Sequence, residues 1–366
     1  MSADEFRVLL ISPLPPPAGG ISAWSEIFLD WAAHNDVAVD IVNTAVTGDR
    51  GKNITVKRNI VDELRRSSAI LGNLKTELRT HKISVVHLNS SCGRFGILRD
   101  YLCAIAVRHE RVPLIVHYHC NIGDQAGDRL QRAIFRRLTC LADTVLVLNA
   151  ESAGYVKRVA HRNSRTVANF VDDDFIIAHP KDIAPEIRKV LFVGHVLMSK
   201  GVGEILEVAR SLPAVLFALA GPVSAEALSL SKPDNVKIFG NVDHDAVRSL
   251  LDEADVFLFP SYTEGFSNAL LEAMARGVPV ITTPVGANAE MIEDSGGMLV
   301  HVGSATDILA AFSEMGSQEL RAQMSCWNVE KVRNTYGASV GMHQLLGIYH
   351  AMVDARTADH GGVVRG

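Results

Sequence analysis

Short unbroken apolar runs alternate along the chain with longer stretches whose apolar positions recur every third or fourth residue. Runs of the first kind suit strands buried on both faces of a parallel sheet, and stretches of the second kind are amphipathic helices. The pattern predicts strands at 6–12, 37–42, 85–88, 113–119, 144–148 and 166–169, and again at 189–193, 216–220, 236–239, 256–259 and from 280. Helices are predicted between them, at about 22–34, 57–82, 96–108, 152–159, 202–210, 246–254, 267–276, 307–315, 318–326 and 339–354. Strand and helix alternate through both halves, the pattern of two doubly wound α/β domains. A chain of 366 residues is also too long for one ordinary core. The first domain is placed at 1–178 and the second at 179–338, with the acid-rich stretch around Asp172, Asp173 and Asp174 as the hinge. Residues 355–366 are expected to form a mobile tail.

The most informative stretch runs from 256 to 281. A strand ends at Pro260, which has no N–H for a sheet ladder; a loop follows, then a helix carrying Leu270, Leu271 and Met274 on one face and stopped by Gly277 and Pro279. Such a unit turns the N–H groups of Gly265, Phe266, Ser267 and Asn268 out of the carboxyl end of the sheet, where an anion is favoured. Glu264 in the loop and Glu272 inside the helix would repel a phosphate, so they make sense as acceptors for hydroxyl groups of the same ligand. A phosphorylated, polyhydroxylated molecule such as a nucleotide sugar meets both demands. An ordinary buried crossover with solvated acids is the competing reading.

The first half carries weaker signals. Gly19 and Gly20 end a proline-rich loop after the first strand, where backbone can pass close to a ligand, although the third glycine of a dinucleotide fingerprint is missing. Asn89 and Ser90 stand at the end of the third strand, placed either to meet an acceptor sugar or to cap the next helix. His117 and His119 fall on one side of the fourth strand. No third ligand stands near them at a spacing usual for zinc, so no metal is expected.

The segments Phe259-Pro260-Ser261, Glu264-Gly265-Phe266, Glu272 after seven intervening residues, Gly277-Val278-Pro279-Val280-Ile281 and Thr283-Pro284-Val285-Gly286 resemble the acidic signature of the retaining glycosyltransferases of family 4. That family has the GT-B fold, two Rossmann-like doubly wound domains facing a central cleft, with a final helix, here 339–354, crossing back to the first domain. The resemblance implies that Glu264 approaches the donor sugar, that the amides of Gly265 to Asn268 meet sugar and phosphate, and that Glu272 holds the ribose. It gives Gly19 and Gly20 a place near donor phosphate and acceptor. His119 would lie beside the donor sugar, with His117 the second choice on the acceptor side. The run Phe192-Val193-Gly194-His195 through Lys200-Gly201 resembles the family's phosphate motif, placing Gly194 and Lys200 on the diphosphate. His195 stands where the family has arginine, and its charge there depends on protonation. Catalysis is thus expected from His119, Glu264 and Lys200, with retention by same-face internal return, and with neither metal nor cofactor beyond the nucleotide-sugar substrate. Two rivals stay open: a nucleotide-sugar epimerase of GT-B architecture, and a non-catalytic nucleotide-sugar-binding subunit, motivated by His195.

Composition changes this picture at three points. With 48% apolar and 21% charged residues, no signal peptide and no apolar run long enough to span a membrane, the chain reads as cytoplasmic. Residues 1–178 hold 22 lysines and arginines against 19 acids, and the rest 14 against 22. That asymmetry, with the basic helix at 57–82, fits either peripheral contact with an anionic membrane at its inner face or a solvated surface. Expected partners are the nucleotide sugar and a glycan, lipid-linked or small-molecule acceptor, in cell-surface polysaccharide synthesis; no nucleic acid is expected. The five cysteines lack paired metal spacing and read as small buried apolar residues in a reducing compartment.

Overall fold

The computed structural model describes residues 6–16, 19–46, 60–125 and 127–361. The chain forms two compact units, Met1–Asn169 with Ala338–Gly366, and Phe170–Gly337. The first holds β1 (Arg7–Ser12), α1 (Gly20–His34), β2 (Ala38–Asn43), α2 (Ile60–Thr80), β3 (Val85–Ser90), α3 (Arg94–His109), β4 (Leu114–Tyr118), α4 (Ile122–Gln125), α5 (Arg129–Leu141), β5 (Thr144–Val147), α6 (Ala150–Ala160) and β6 (Arg165–Thr166). The second holds β7 (Lys189–Val193), α7 (Val202–Ser211), β8 (Leu216–Ala220), α8 (Ala225–Leu228), β9 (Val236–Gly240), α9 (His244–Glu253), β10 (Val256–Phe259), α10 (Asn268–Ala275), β11 (Val280–Thr282), α11 (Asn288–Ile292), β12 (Gly297–Leu299), α12 (Ala305–Glu314) and α13 (Gln318–Lys331). The last helix, α14 (Ala338–Gly361), belongs to the first unit.

Each unit is built on a six-stranded parallel sheet, ordered β2-β1-β3-β4-β5-β6 in the first and β12-β11-β10-β7-β8-β9 in the second. In both, the chain leaves a central strand in one direction and resumes on its other side. The reversal falls between β1 and β3 in the first unit and between β7 and β10 in the second, and ligands of open α/β sheets bind at the carboxyl ends of strands at such points. The whole of β10 is buried, and Phe259 stacks on Phe192 of β7 with ring centroids 5.7 Å apart. Burial of each ring contributes about 1.5–3 kcal/mol, so the core sets the second reversal point. Local capping sets helix starts: Asp128, Asn149, Asp243, Ser304 and Ser317 each accept a hydrogen bond from a first-turn N–H.

Four sequence expectations are corrected. The stretch read as a hinge lies inside the second unit, because Ile177 N–H donates to Ala275 O, Arg276 donates to Phe175 O, and Val171 bridges to Gly337; the boundary therefore falls after Asn169 rather than after 178. The terminal helix does not stop at 354 but continues to Gly361, beyond which residues lie outside those described. Helix α2 spans Ile60–Thr80, and Lys57 and Arg58, counted in its basic face, also lie outside. Only Cys92 and Cys103 are buried; Cys120 is half-buried and Cys140 and Cys326 are exposed.

The loops at the second reversal point meet where no Cβ fits. Gly201 (φ 77°) would place a Cβ 2.3 Å from Pro260 O, and Gly286 (φ 57°) would place one 2.2 Å from Glu264 O. A methyl at either position must push the loop after β10 aside while also holding a left-handed backbone. Gly286→Ala should lower unfolding stability by about 1–3 kcal/mol. Gly72→Ala, where the added methyl on exposed α2 meets nothing within 4 Å, should raise it by about 0.5–1 kcal/mol. Urea unfolding of the two variants beside the parent measures both.

Candidate functional site

In the second unit, the loop after β7 carries Lys200 and the loop after β10 carries Glu264. Backbone ties them: Tyr262 N–H donates to Ser199 O at 3.0 Å. The Lys200 ammonium is ion-paired with Glu264 Oε1, and both side chains are mostly buried. Two of the three residues expected to be catalytic are therefore in direct contact at the reversal point. Gly194 lies at the same end, its Cα direction facing Phe259. His195 is exposed and, among the described residues, makes no hydrogen bond through its ring.

Glu264 leads into α10, whose N-cap residue, Ser267, makes no capping hydrogen bond. Its hydroxyl donates instead to Asn288 Oδ1 at 2.7 Å, and Asn288 Nδ2 donates to Thr282 Oγ1 and Thr283 O. Ala287 N–H donates to Gly265 O. The turn after β11 thus holds the acidic loop from behind and leaves the start of α10 without a side-chain cap, the arrangement that favours an anion. Phe266 and Ser267 are buried, Gly265 and Asn268 half-buried. Glu272 keeps 22% of its side-chain surface open, and burial pushes its carboxyl up to about 7. The nearest basic group, His244 Nε2, stands 4.0 Å away, beyond hydrogen-bond reach.

In the first unit, the residues singled out gather at the β1/β3 reversal point. Gly19 is the extended N-cap of α1 and Gly20 its first residue; both are exposed. Asn89 (2% exposed), Ser90 and His117 are buried, which corrects their assignment to acceptor contact: period-two spacing gives the side of a strand but not its depth. Asn89 instead holds His119. Ser25 Oγ donates to Ile21 O, which only accepts, so the 2.6 Å contact between Ser12 and Ser25 uses the Ser12 proton. Asn89 Nδ2 donates to Ser12 Oγ, leaving Asn89 Oδ1 to accept from His119 Nε2–H at 2.9 Å. His119 is half-buried, burial lowers its pKa while the Asn169 side chain opposes that shift, and the neutral ring therefore carries its proton on Nε2, with Nδ1 a buried atom.

Behind His119 lies a histidine the sequence reading missed. His87 Nε2 is 3.3 Å from His117 Nδ1, its Nδ1 is 2.5 Å from the Tyr349 hydroxyl of α14, and Trp24 packs on all three imidazoles. Burial lowers the pKa of His87 to about 3 and that of His117 well below its ordinary value. These nitrogens face each other rather than a shared point. Among the described residues, Asp40, Glu77 and His81 form the one group close enough to share a cation, and Arg7 already bonds both Asp40 oxygens.

A family model described as "Glycosyltransferase Family 4" matches residues 18–175, and one described as "Glycosyl transferases group 1" matches 175–326. The putative teichuronic acid biosynthesis glycosyltransferase TuaC of Bacillus subtilis is 30% identical over 136 residues, 36% of this chain and 34% of that protein. The putative colanic acid biosynthesis glycosyltransferase WcaL of Escherichia coli is 26% identical over 307 residues, 78% of this chain and 74% of that one. The match thus spans about a third of the length of the first relative and three quarters of the second. Among solved structures, sucrose-phosphate synthase from Thermosynechococcus elongatus superposes with a TM-score of 0.74 at 16% identity, covering 96% of this chain and 100% of that one. Anabaena HepE in complex with UDP and glucose gives 0.72 at 14% identity, covering 94% and 100%. Two Rossmann-like sheets in the GT-B manner, matched from 18 to 326 by these two descriptions, leave one assignment: the chain belongs to the group 1 glycosyltransferases of family 4.

Proposed function

We propose that the protein transfers a sugar, with retention and without a metal ion, from a nucleoside-diphosphate sugar to a glycan or lipid-linked acceptor in the assembly of a cell-surface polysaccharide. The observation that carries this reading is the Lys200–Glu264 pair at the β7/β10 reversal point, beside the uncapped start of α10. The names of TuaC and WcaL support the polysaccharide context, and the UDP in the HepE complex supports a nucleotide donor.

On this reading the donor diphosphate takes the Lys200 ammonium and the α10 amides as its partners. As the anomeric bond breaks, negative charge grows on the leaving diphosphate, and both groups stabilise it where it develops. Glu264, released from Lys200, accepts from the sugar hydroxyls and orients the ring as it gains oxocarbenium character. Glu272 accepts from the ribose, and His119 borders the donor sugar. The acceptor oxygen then enters from the face the diphosphate leaves and passes its proton to the departing diphosphate.

The acceptor side suggests a lipid surface. Leu98 (42% exposed), Leu102 (38%) and Ile105 (43%) form a row on α3 at helical spacing, with Leu130 exposed on α5. The packed neighbour α5 exposes Arg129, Arg132, Arg136 and Arg137, and Arg94 ties the two helix starts through Asp128 at 3.2 Å. An apolar row beside a basic face suits an anionic bilayer. Among the described residues no helix is long and apolar enough to cross a membrane.

Three outcomes test this. Glu264→Gln should still fold, less stably than the parent, but lose about 100- to 1,000-fold in turnover, read as nucleoside diphosphate released in the presence of acceptor. Release without acceptor would favour an epimerase, and a parent inert to every donor a binding subunit. Donor affinity, followed by calorimetry, should be full above about pH 7 and weaken as pH falls through that value, because hydroxyl donors favour the ionised Glu272 whose free pKa is raised to about 7. Glu272→Gln should remove that pH dependence. Vesicles rich in anionic lipid should sediment the protein where zwitterionic ones do not, and Leu102→Glu with Arg132→Glu should abolish the difference.

A further inference from the structure

Two cysteines that are 28 positions apart face each other beside His119. The β3/β4 ladder pairs Asn89 with His117 and Ser90 with Tyr118, and His119 N–H still donates to Ser90 O at 2.9 Å. Cys92 and Cys120 each follow two residues after the last paired position of their strand. The sulfurs are 2.6 Å apart, about half an ångström longer than the S–S bond of about 2.05 Å.

The backbone holds this approach in place. Cys92 has a left-handed backbone (φ 60°), a conformation uncommon for a residue with a side chain, and Gln131 Nε2 fixes it by donating to Cys92 O at 2.8 Å. Access differs between the two: Cys92 is buried, whereas Cys120 is half-buried and can meet a small reagent.

We propose that Cys92 and Cys120 are a redox-active dithiol, a modification site that closes reversibly into a disulfide across the ends of β3 and β4. With hydrogen peroxide as oxidant, the Cys120 thiolate attacks one peroxide oxygen, the O–O bond breaks, and water leaves once protonated, giving a sulfenic acid. Cys92 sulfur then attacks the Cys120 sulfur; the S–O bond breaks, a second water leaves with the Cys92 proton, and the S–S bond forms. Two thiols lose two protons and two electrons, and one peroxide becomes two waters. Burial pushes the Cys92 thiol up, which suits it to the second step, where contact replaces reactivity. The bond would tie the strand end carrying Asn89 to the one carrying His119, the two residues whose hydrogen bond sets the His119 tautomer.

The test needs no turnover assay and so stands apart from the glycosyltransferase reading. The full chain is exposed to hydrogen peroxide, quenched with an alkylating agent, digested and mapped by mass spectrometry. The expected result is a peptide pair joined through Cys92 and Cys120, two hydrogens lighter than the dithiol and restored by dithiothreitol, with Cys103 still free. In Cys92→Ser, Cys120 should instead be trapped as a sulfenic acid by dimedone. The idea is overturned if the parent keeps Cys92 and Cys120 alkylatable while the exposed Cys140 and Cys326 oxidise, or if Cys120 pairs with either of those; this map decides even if the serine variant fails to fold.

Discussion

The ligand end of the second unit depends on backbone passing backbone without intervening side chains. Three loops, after β7, β10 and β11, converge there, and the loop after β10 lies between the other two. Gly201 admits Pro260 O on one side and Gly286 admits Glu264 O on the other. With a methyl at either position the middle loop would have to withdraw, and Glu264 would withdraw with it. The hydrophobic core places the strand ends, but these two approaches place the carboxylate. Asn288, buried and hydrogen-bonded to Ser267, Thr282 and Thr283, then locks the start of α10 to the same frame.

Within that frame the Lys200–Glu264 pair reads as a resting arrangement. Both side chains are mostly shielded, so removing either partner strands the other in a poorly solvated place, which costs more than loss of an exposed pair. A diphosphate brings its own charge and can take the ammonium without leaving the carboxylate unpartnered, provided the carboxylate gains hydroxyl donors at the same time. A nucleotide sugar carries both groups in one molecule. Free phosphate carries only the first, and a free sugar only the second. On the proposed reading the pair discriminates by requiring the exchange of both partners at once.

Much of this was legible in the sequence because it is local. Glu264, Gly265 to Asn268 and Glu272 sit within one strand-loop-helix unit, and their spacing alone sets which lie at the helix start and which lie within it. Lys200 was picked out through the likeness of Phe192 to Gly201 to the family's phosphate motif, not from spacing alone. The misreadings share the opposite cause. Asn89 was placed at the end of its strand and His117 on one side of the next, but depth depends on tertiary packing such as that of Trp24 on His117, which spacing does not report. His87 went unseen because its partners are on another strand and on a helix 262 positions away. The domain boundary moved because Val171, Phe175 and Ile177 pair with residues near 275 and 336. Cys92 and Cys120 could have been matched by noting that each falls just past the end of one of two neighbouring strands, a step that counting cysteine spacing does not include.

The first unit shows how a polar network can specify chemistry from within a core. One carbonyl, that of Ile21, can only accept, and this fixes Ser25, then Ser12, then Asn89, so that His119 must donate through Nε2. Burial suppresses the imidazolium that would otherwise erase the distinction between the two ring nitrogens. A surface histidine would sample both tautomers and the cation. Here a chain of ordinary hydrogen bonds, anchored in the first turn of α1, holds the proton on Nε2, and it is the network rather than the histidine that sets the tautomer.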